Sequence, residues 1–450
     1  MAENGDASSK TEPSGSPESE QGQKSSIKAE LEKFVKTADS LVCTAPLSLW
    51  ALEAAHRGAY QEYTNFWQTK CINIRKDGNE TVADVPPGLV HEFTVIQRRL
   101  DRSSIATKVI GNSSVVSLVS QYDSFLGGLL RAFFHLRPEL LYASERTLTL
   151  KELQTFESID AARDYIVEKE VEAVIRKSHV EQFEWMESRF DIQLRKGLNI
   201  WPTFAEVTER RNLIVHCGGI VSSHYLSVCK QHGVDCGAAT VGTELMVTRA
   251  YLVEAYECLV EVGVKLAHVL WRKLIPGERA DADNNLISFC LDLMNENRHG
   301  LARKLLDFAT CVLKKWDSEV ARLLFVVNRA QAHKWLNEEG TCQKILANED
   351  WSAVDDRLSL GVAVLTDDVD KAVALMRKLG DGPLVPKESY RTWPIFQRFR
   401  KTPQFMNAYK EIFGEDFVGV PEQNKIAFRL EWGEQSKKDP TAPADAQKPN

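Results

Sequence analysis

Between residues 27 and 433 apolar side chains recur every three or four positions with few interruptions. A chain of this kind has to bury one stripe per helix against other helices. The clearest stretch, 116–136, carries Leu118, Phe125, Leu126, Leu129, Leu130 and Phe133, and Leu136-Arg137-Pro138 stops it. Helices are also predicted over 47–70, around Trp50, Leu52, Ala55 and Tyr60, and over 161–194. The Asn, Asp and Pro-Pro of 79–87 read as a loop. Pro202, Thr203 and Glu206 read as a capping box that opens a helix running to His232, where Gly233 ends it. Thr243 or a neighbour starts another, with Leu245, Tyr251, Leu252, Leu259, Val262, Leu266 and Leu270 as its stripe, ending before Pro276. The expected fold class is all-α, beginning with an up-and-down bundle of long helices.

After Gly277-Glu278-Arg279 the helices shorten and pair. Residues 328–346 align with 357–375, so that Leu336 matches Leu365, Ala332 matches Gly361 and Leu346 matches Leu375. A looser copy lies near 293–306. This degenerate spacing resembles a tetratricopeptide-like array of helical hairpins. Tyr390, Trp393, Phe396, Phe399, Phe405, Tyr409 and Phe413 read as an aromatic cap that closes it. The expected organisation is a tail over 1–26, an N-terminal helical extension over 27–84, a bundle over 85–276, a repeat module over 277–433 and a tail over 434–450. Both tails lack the apolar residues needed for a core and are expected to be disordered.

A net charge of -7 over 450 residues argues against a protein that coats nucleic acid non-specifically, which needs many Lys and Arg contacts to phosphate. The nine cysteines are irregularly spaced and read as free thiols of a reducing compartment. A polar, acidic start is not a signal peptide, and no apolar run approaches the roughly 18 residues of a membrane span. The expected location is cytoplasmic, without membrane contact. Cys229, His232 and Cys236 fall short of the four ligands of structural zinc, and no P-loop is present, so neither a metal nor a cofactor is expected. Lys314-Lys315 and the basic residues of 398–401 read as solvated faces.

The segment Glu209-Arg210-Arg211-Asn212-Leu213-Ile214-Val215-His216 exceeds what a bundle needs. At about 100° per residue, Asn212 lies about 40° from His216 and Glu209 about 20° from it, all on one helix face. Arg211 sits about 140° round and reaches by its length. An imidazole moves protons near neutral pH, and a guanidinium holds phosphate and steadies the charge that grows on it. RNA brings its own nucleophile, the 2′-hydroxyl, so this set needs no metal to cut it.

Arg211 and His216, with four residues between them and polar Asn212 after the arginine, resemble the Arg–four to six residues–His motif of the HEPN superfamily. The segment beginning Val119-Ser120-Gln121-Tyr122-Asp123 resembles that family's opening helix, and the likeness covers roughly 85–275. The resemblance implies a HEPN-like bundle and a metal-independent endoribonuclease, with Arg211 and His216 catalytic, and Asn212 and Glu209 supporting. It also implies a homodimer in which two motifs meet. One set supplies a single imidazole, whereas transesterification moves a proton at each of two oxygens; Gly218-Gly219, just beyond His216 and Cys217, are expected at the dimer contact. The expected role is that of a toxin or antiviral-defence effector acting on RNA, regulated by the repeat module or by a protein partner bound to it. The alternative is a non-catalytic adaptor.

Overall fold

The computed structural model describes residues 26–78, 80–143 and 146–418. Apart from Ser26, the expected tails lie outside these residues, as does the end of the repeat module beyond 418. The described chain is mainly helical, with one small two-stranded sheet, an isolated bridge between Ile220 and Glu244, and connecting loops, consistent with an all-α class. It forms two compact units divided between Ala282 and Asp283, rather than at Pro276-Gly277. The backbone passes from the short turn Pro276–Glu278 directly into the next helix, so the proline there does not end a unit.

The first unit contains α1 (Ser26–Lys70), β1 (Ile72–Asp77), β2 (Glu80–Asp84), α2 (Val90–Leu136), α3 (Ile159–Ile175), α4 (His179–Phe190), α5 (Trp201–Cys217), α6 (Ser223–Gln231) and α7 (Arg249–Leu274). The stretch 27–84 is not a separate extension. Helix α1 packs along α2 and against α7, and its Phe34 stacks on Phe125 of α2 with ring centroids 4.6 Å apart. It runs unbroken through Pro46, because Val42, Ala45 and Leu49 keep both flanking turns buried. The far ends of α1 and α2 hold each other through Lys70–Glu92 and Arg99–Glu62, each 2.6 Å. The segment 79–87 contributes a strand instead of being all loop: β1 and β2 pair antiparallel, with Arg75 opposite Val82. Every residue of β1 is exposed, so no inward-facing alternation marks it in the sequence.

The helix expected over 161–194 is two. Ser178 and Glu181 form a capping box that starts α4 afresh after α3 ends. Helix α7 is buried around most of its circumference from Leu252 to Trp271 and packs on α1, α2 and α5. It approaches α1 closely at Gly263, where an added Cβ would lie 2.8 Å from a Phe34 ring carbon.

Helix α8 (Arg279–Asn295) starts in the first unit and lies in the second from Asp283; the second unit also contains α9 (His299–Asp307), α10 (Glu319–Trp335), α11 (Glu339–Ala347), α12 (Asp356–Leu365), α13 (Val369–Leu379), α14 (Lys387–Thr392) and α15 (Pro403–Phe413). Three of its turns share one device. Asn297, Asn337 and Asp367 each take a left-handed conformation, and the next residue donates its N–H five positions back, to Leu293, His333 and Ala363 respectively. The hairpins therefore align Asn337 with Asp367, one residue away from the alignment that matched Leu336 to Leu365. Apolar matches tolerate such a slip; a left-handed turn does not. Buried Lys334 of α10 donates to the Leu365 carbonyl at 2.8 Å and to Asp367 at 2.7 Å, which ties α10 to the next turn.

The aromatic cluster forms: Phe396 packs against Tyr390, Trp393, Phe399 and Phe405. The basic run at 398–401 is not simply a solvated face. Arg400 donates to the Tyr390 and Trp393 carbonyls at 2.7 Å, and burial brings its guanidinium down to about 10. Arg398 lies over the Trp335 ring.

Replacing Gly263 with Val should destabilise the first unit by about 1–3 kcal/mol, because Phe34 must leave its stack on Phe125. Chemical denaturation followed by circular dichroism measures it. An unchanged unfolding midpoint would show that α1 and α7 do not depend on this close approach.

Candidate functional site

The motif helix α5 does not start at a Thr203 cap. Its first residue is Trp201, Pro202 occupies the first turn, and Ile200 precedes it without a side-chain cap. A proline fits there because its missing N–H has no helical partner in the first turn. Glu206 is released for another task. It accepts from Tyr225 (2.6 Å), Tyr251 (2.8 Å) and Arg210 (2.8 Å), so α5, α6 and the start of α7 are joined through one buried carboxylate. Burial, then the Glu206 charge, push the Tyr225 and Tyr251 phenols above their usual range, so both stay protonated donors.

Helix α5 ends at Cys217, fifteen residues short of its expected end at His232. Gly218 and Gly219 have φ of +62° and +85°, a region that L side chains avoid. The Gly219 N–H turns back to the Leu213 carbonyl (3.2 Å), and the Gly219 carbonyl accepts from Leu245 (3.0 Å). Gly219 is buried, and the backbone that approaches it closely belongs to the same chain. The expectation that Gly219 faces a dimer partner is therefore corrected; the need for glycine is met by chain reversal. Gly218, though exposed, is likewise required by the helix end. Ser222 then caps α6 by accepting from the Tyr225 N–H.

Arg211 turns toward α2. Its Nη2 lies 3.5 Å from Asp123 Oδ2, and its Nη1 donates to Asn212 Oδ1 at 3.0 Å. The other Asp123 oxygen accepts from His179 Nε2 at 2.8 Å. Asp123 and His179 have 17% and 6% of their side chains exposed, so this carboxylate with two partners is largely sheltered from water. The His179 ring meets Phe204 edge-on, and Tyr122 packs beside both. Burial, then the Asp123 charge, hold the Tyr122 phenol well above its ordinary range, so it is neutral.

Asn212 orients Arg211 rather than His216. Its Nδ2 donates to Glu209 Oε1 at 3.2 Å, and Glu209 Oε2 lies 3.8 Å from His224 Nε2. One polar chain thus runs His179–Asp123–Arg211–Asn212–Glu209–His224. His216 is in the last turn of α5, exposed, and makes no side-chain hydrogen bond or ion pair among the described residues. Arg211 and His216 are on one helix, and no hydrogen bond joins them. The chemistry available is an arginine held by two neighbours, with an imidazole open to solvent one turn beyond Asn212.

Sequence reasoning missed three members of this chain. Asp123 had a signal, an acid set between buried Tyr122 and Phe125. His179 and His224 had none, since each reaches the motif only through folding. Cys229 and Cys236 lie together, but His232 is turned away to accept from Trp201 through Nδ1 at 3.3 Å, and no group of three metal-ligating side chains occurs among the described residues. No family model, curated protein or solved structure matches the chain.

Cys229 anchors α6 in a small core with Leu213, Val221 and Tyr225, and burial, then Cys236, push its thiol to about 12. At pH 8.5 iodoacetamide should label exposed Cys217 and spare Cys229 until the chain unfolds. Because the folded thiol is the weaker acid, its contribution to stability is complete below 9.0 and is lost as pH rises toward about 12. Peptide mapping after a short pulse checks this, and equal labelling of Cys217 and Cys229 in the folded chain would contradict the packing of α6.

Proposed function

We propose that the chain is a metal-independent endoribonuclease of HEPN type, with Arg211 and His216 as its catalytic residues and Asn212 and Glu209 supporting them. One observation carries the reading: Arg211 is bonded to Asn212 and Asp123 on the same helix as an exposed His216 that none of the described residues engages. A structural histidine would be expected to have a partner, and His179 illustrates that case with its bond to Asp123. In the proposed reaction Arg211 binds the scissile phosphate and steadies its growing negative charge. His216 exchanges a proton with a reacting oxygen. The 2′-oxygen forms a bond to phosphorus while the bond to the 5′-oxygen breaks, which leaves a 2′,3′-cyclic phosphate and a 5′-hydroxyl.

A homodimer would set two such faces side by side, through a surface other than Gly219. The hairpins of the second unit would form the tetratricopeptide-like module that restrains the nuclease or binds its regulator, as in a toxin or defence effector. No helix among the described residues is long and apolar enough to cross a membrane; we assign the activity to the cytoplasm. The adaptor reading draws on one feature, that Arg211 already has protein partners, as a purely structural arginine would.

Cleavage of bulk RNA in excess chelator separates the two. Arg211→Ala and His216→Ala should each reduce cleavage at least 100-fold with unchanged circular dichroism, and the wild-type products should carry cyclic phosphate ends. Wild-type-like cleavage by either folded variant, or 5′-phosphate ends made only with magnesium, would refute the assignment.

A further inference from the structure

The proposed reaction moves two protons, one from the 2′-hydroxyl and one to the 5′-oxygen. His216 accounts for one. We infer that His224 of the same chain is the second proton-transfer residue, facing Glu209 at ion-pair distance; this rests on the ribonuclease reading above.

The placement of four side chains carries the inference. Glu209, Asn212 and His216 share one face of α5. The Gly218-Gly219 reversal brings the chain back, and α6 presents His224 in its first turn with Nε2 3.8 Å from Glu209 Oε2. Glu209 is otherwise committed to Asn212, which in turn holds Arg211. The Glu209 side chain is 11% exposed and that of His224 is 78% exposed. A sheltered carboxylate therefore faces one nitrogen of a ring whose remaining surface is open. When the ring is protonated, Glu209 can pair with it through Nε2 and leave Nδ1 for substrate, the arrangement by which a carboxylate orients a general-acid or general-base imidazole. The contrast with His179 is informative. That ring also has a carboxylate partner, Asp123, but it is buried and can only position Arg211.

With both imidazoles in place the protons balance without a co-reactant. One ring accepts the 2′-hydroxyl proton as the oxygen attacks phosphorus. The other, protonated beforehand, gives its proton to the departing 5′-oxygen. Solvent restores both rings after release.

The test compares His216→Ala and His224→Ala in the full chain, on RNA and on RNA whose scissile 5′-bridging oxygen is replaced by sulfur, a leaving group that needs no proton. Circular dichroism checks the fold, which the outward position of His224 should leave intact. Each variant should lose at least 100-fold on ordinary RNA. On the sulfur substrate one variant, the one lacking the acid, should recover toward the wild-type rate, while the other stays slow. Wild-type cleavage by His224→Ala, with His216→Ala inactive, overturns this assignment and leaves the ribonuclease reading standing. Recovery of both variants, or of neither, also overturns it. A wild-type chain that cuts no RNA removes the reading and the assignment together.

Discussion

The first unit depends on how α2 is held. Tyr122, Phe125, Leu126, Leu129 and Phe133 are buried among the helices that surround it, with α1, α3, α5 and α7 all packed against it. A helix surrounded in this way cannot rotate without moving aromatic rings out of the core. That packing sets the direction of Asp123, which follows Tyr122 in the chain. A sheltered carboxylate is costly unless it is paired, and Asp123 meets the requirement with His179 on one oxygen and Arg211 on the other. Core packing therefore orients the arginine of the motif.

The end of α5 works by a complementary constraint. Two glycines in left-handed conformations stop the helix immediately after His216 and Cys217. A longer α5 would have carried 222–232 away in a straight line, and His224 would lie about two turns beyond His216. Reversal returns α6 to the side of α5, fixed by Glu206 through Tyr225 and by the Leu213–Cys229 core. The second unit uses the same left-handed backbone at Asn297, Asn337 and Asp367, where polar side chains replace glycine. Asn and Asp tolerate this region better than other L residues, which explains how those turns take it without a glycine at the left-handed position.

Much of this was legible in the residues because it depends on local periodicity. The helical class, the apolar phase of α2 and the shared face of Glu209, Asn212 and His216 all follow from the geometry of a single helix. Errors gathered where two local signals competed. Thr203 and Glu206 have capping-box spacing, yet Pro202 fits inside the first turn and the helix opens earlier. Gly218-Gly219 can be read either as a loosened helix or as a helix end, and propensity alone does not choose between them. Residues 161–194 carry helical periodicity throughout, and the Ser178–Glu181 cap that divides them went unread.

What the sequence by itself determined is an all-helical chain with an arginine, an asparagine, a glutamate and a histidine grouped on one short helix. The period of 3.6 residues is a property of neighbours in the chain. Only the tertiary structure decided that Asp123 grips Arg211, that His179 stands behind Asp123, and that His224 returns to Glu209. Those contacts join separate helices, and their geometry follows from the packing of α2, the turn at Gly218-Gly219 and the burial of Glu206, none of which a single helix specifies.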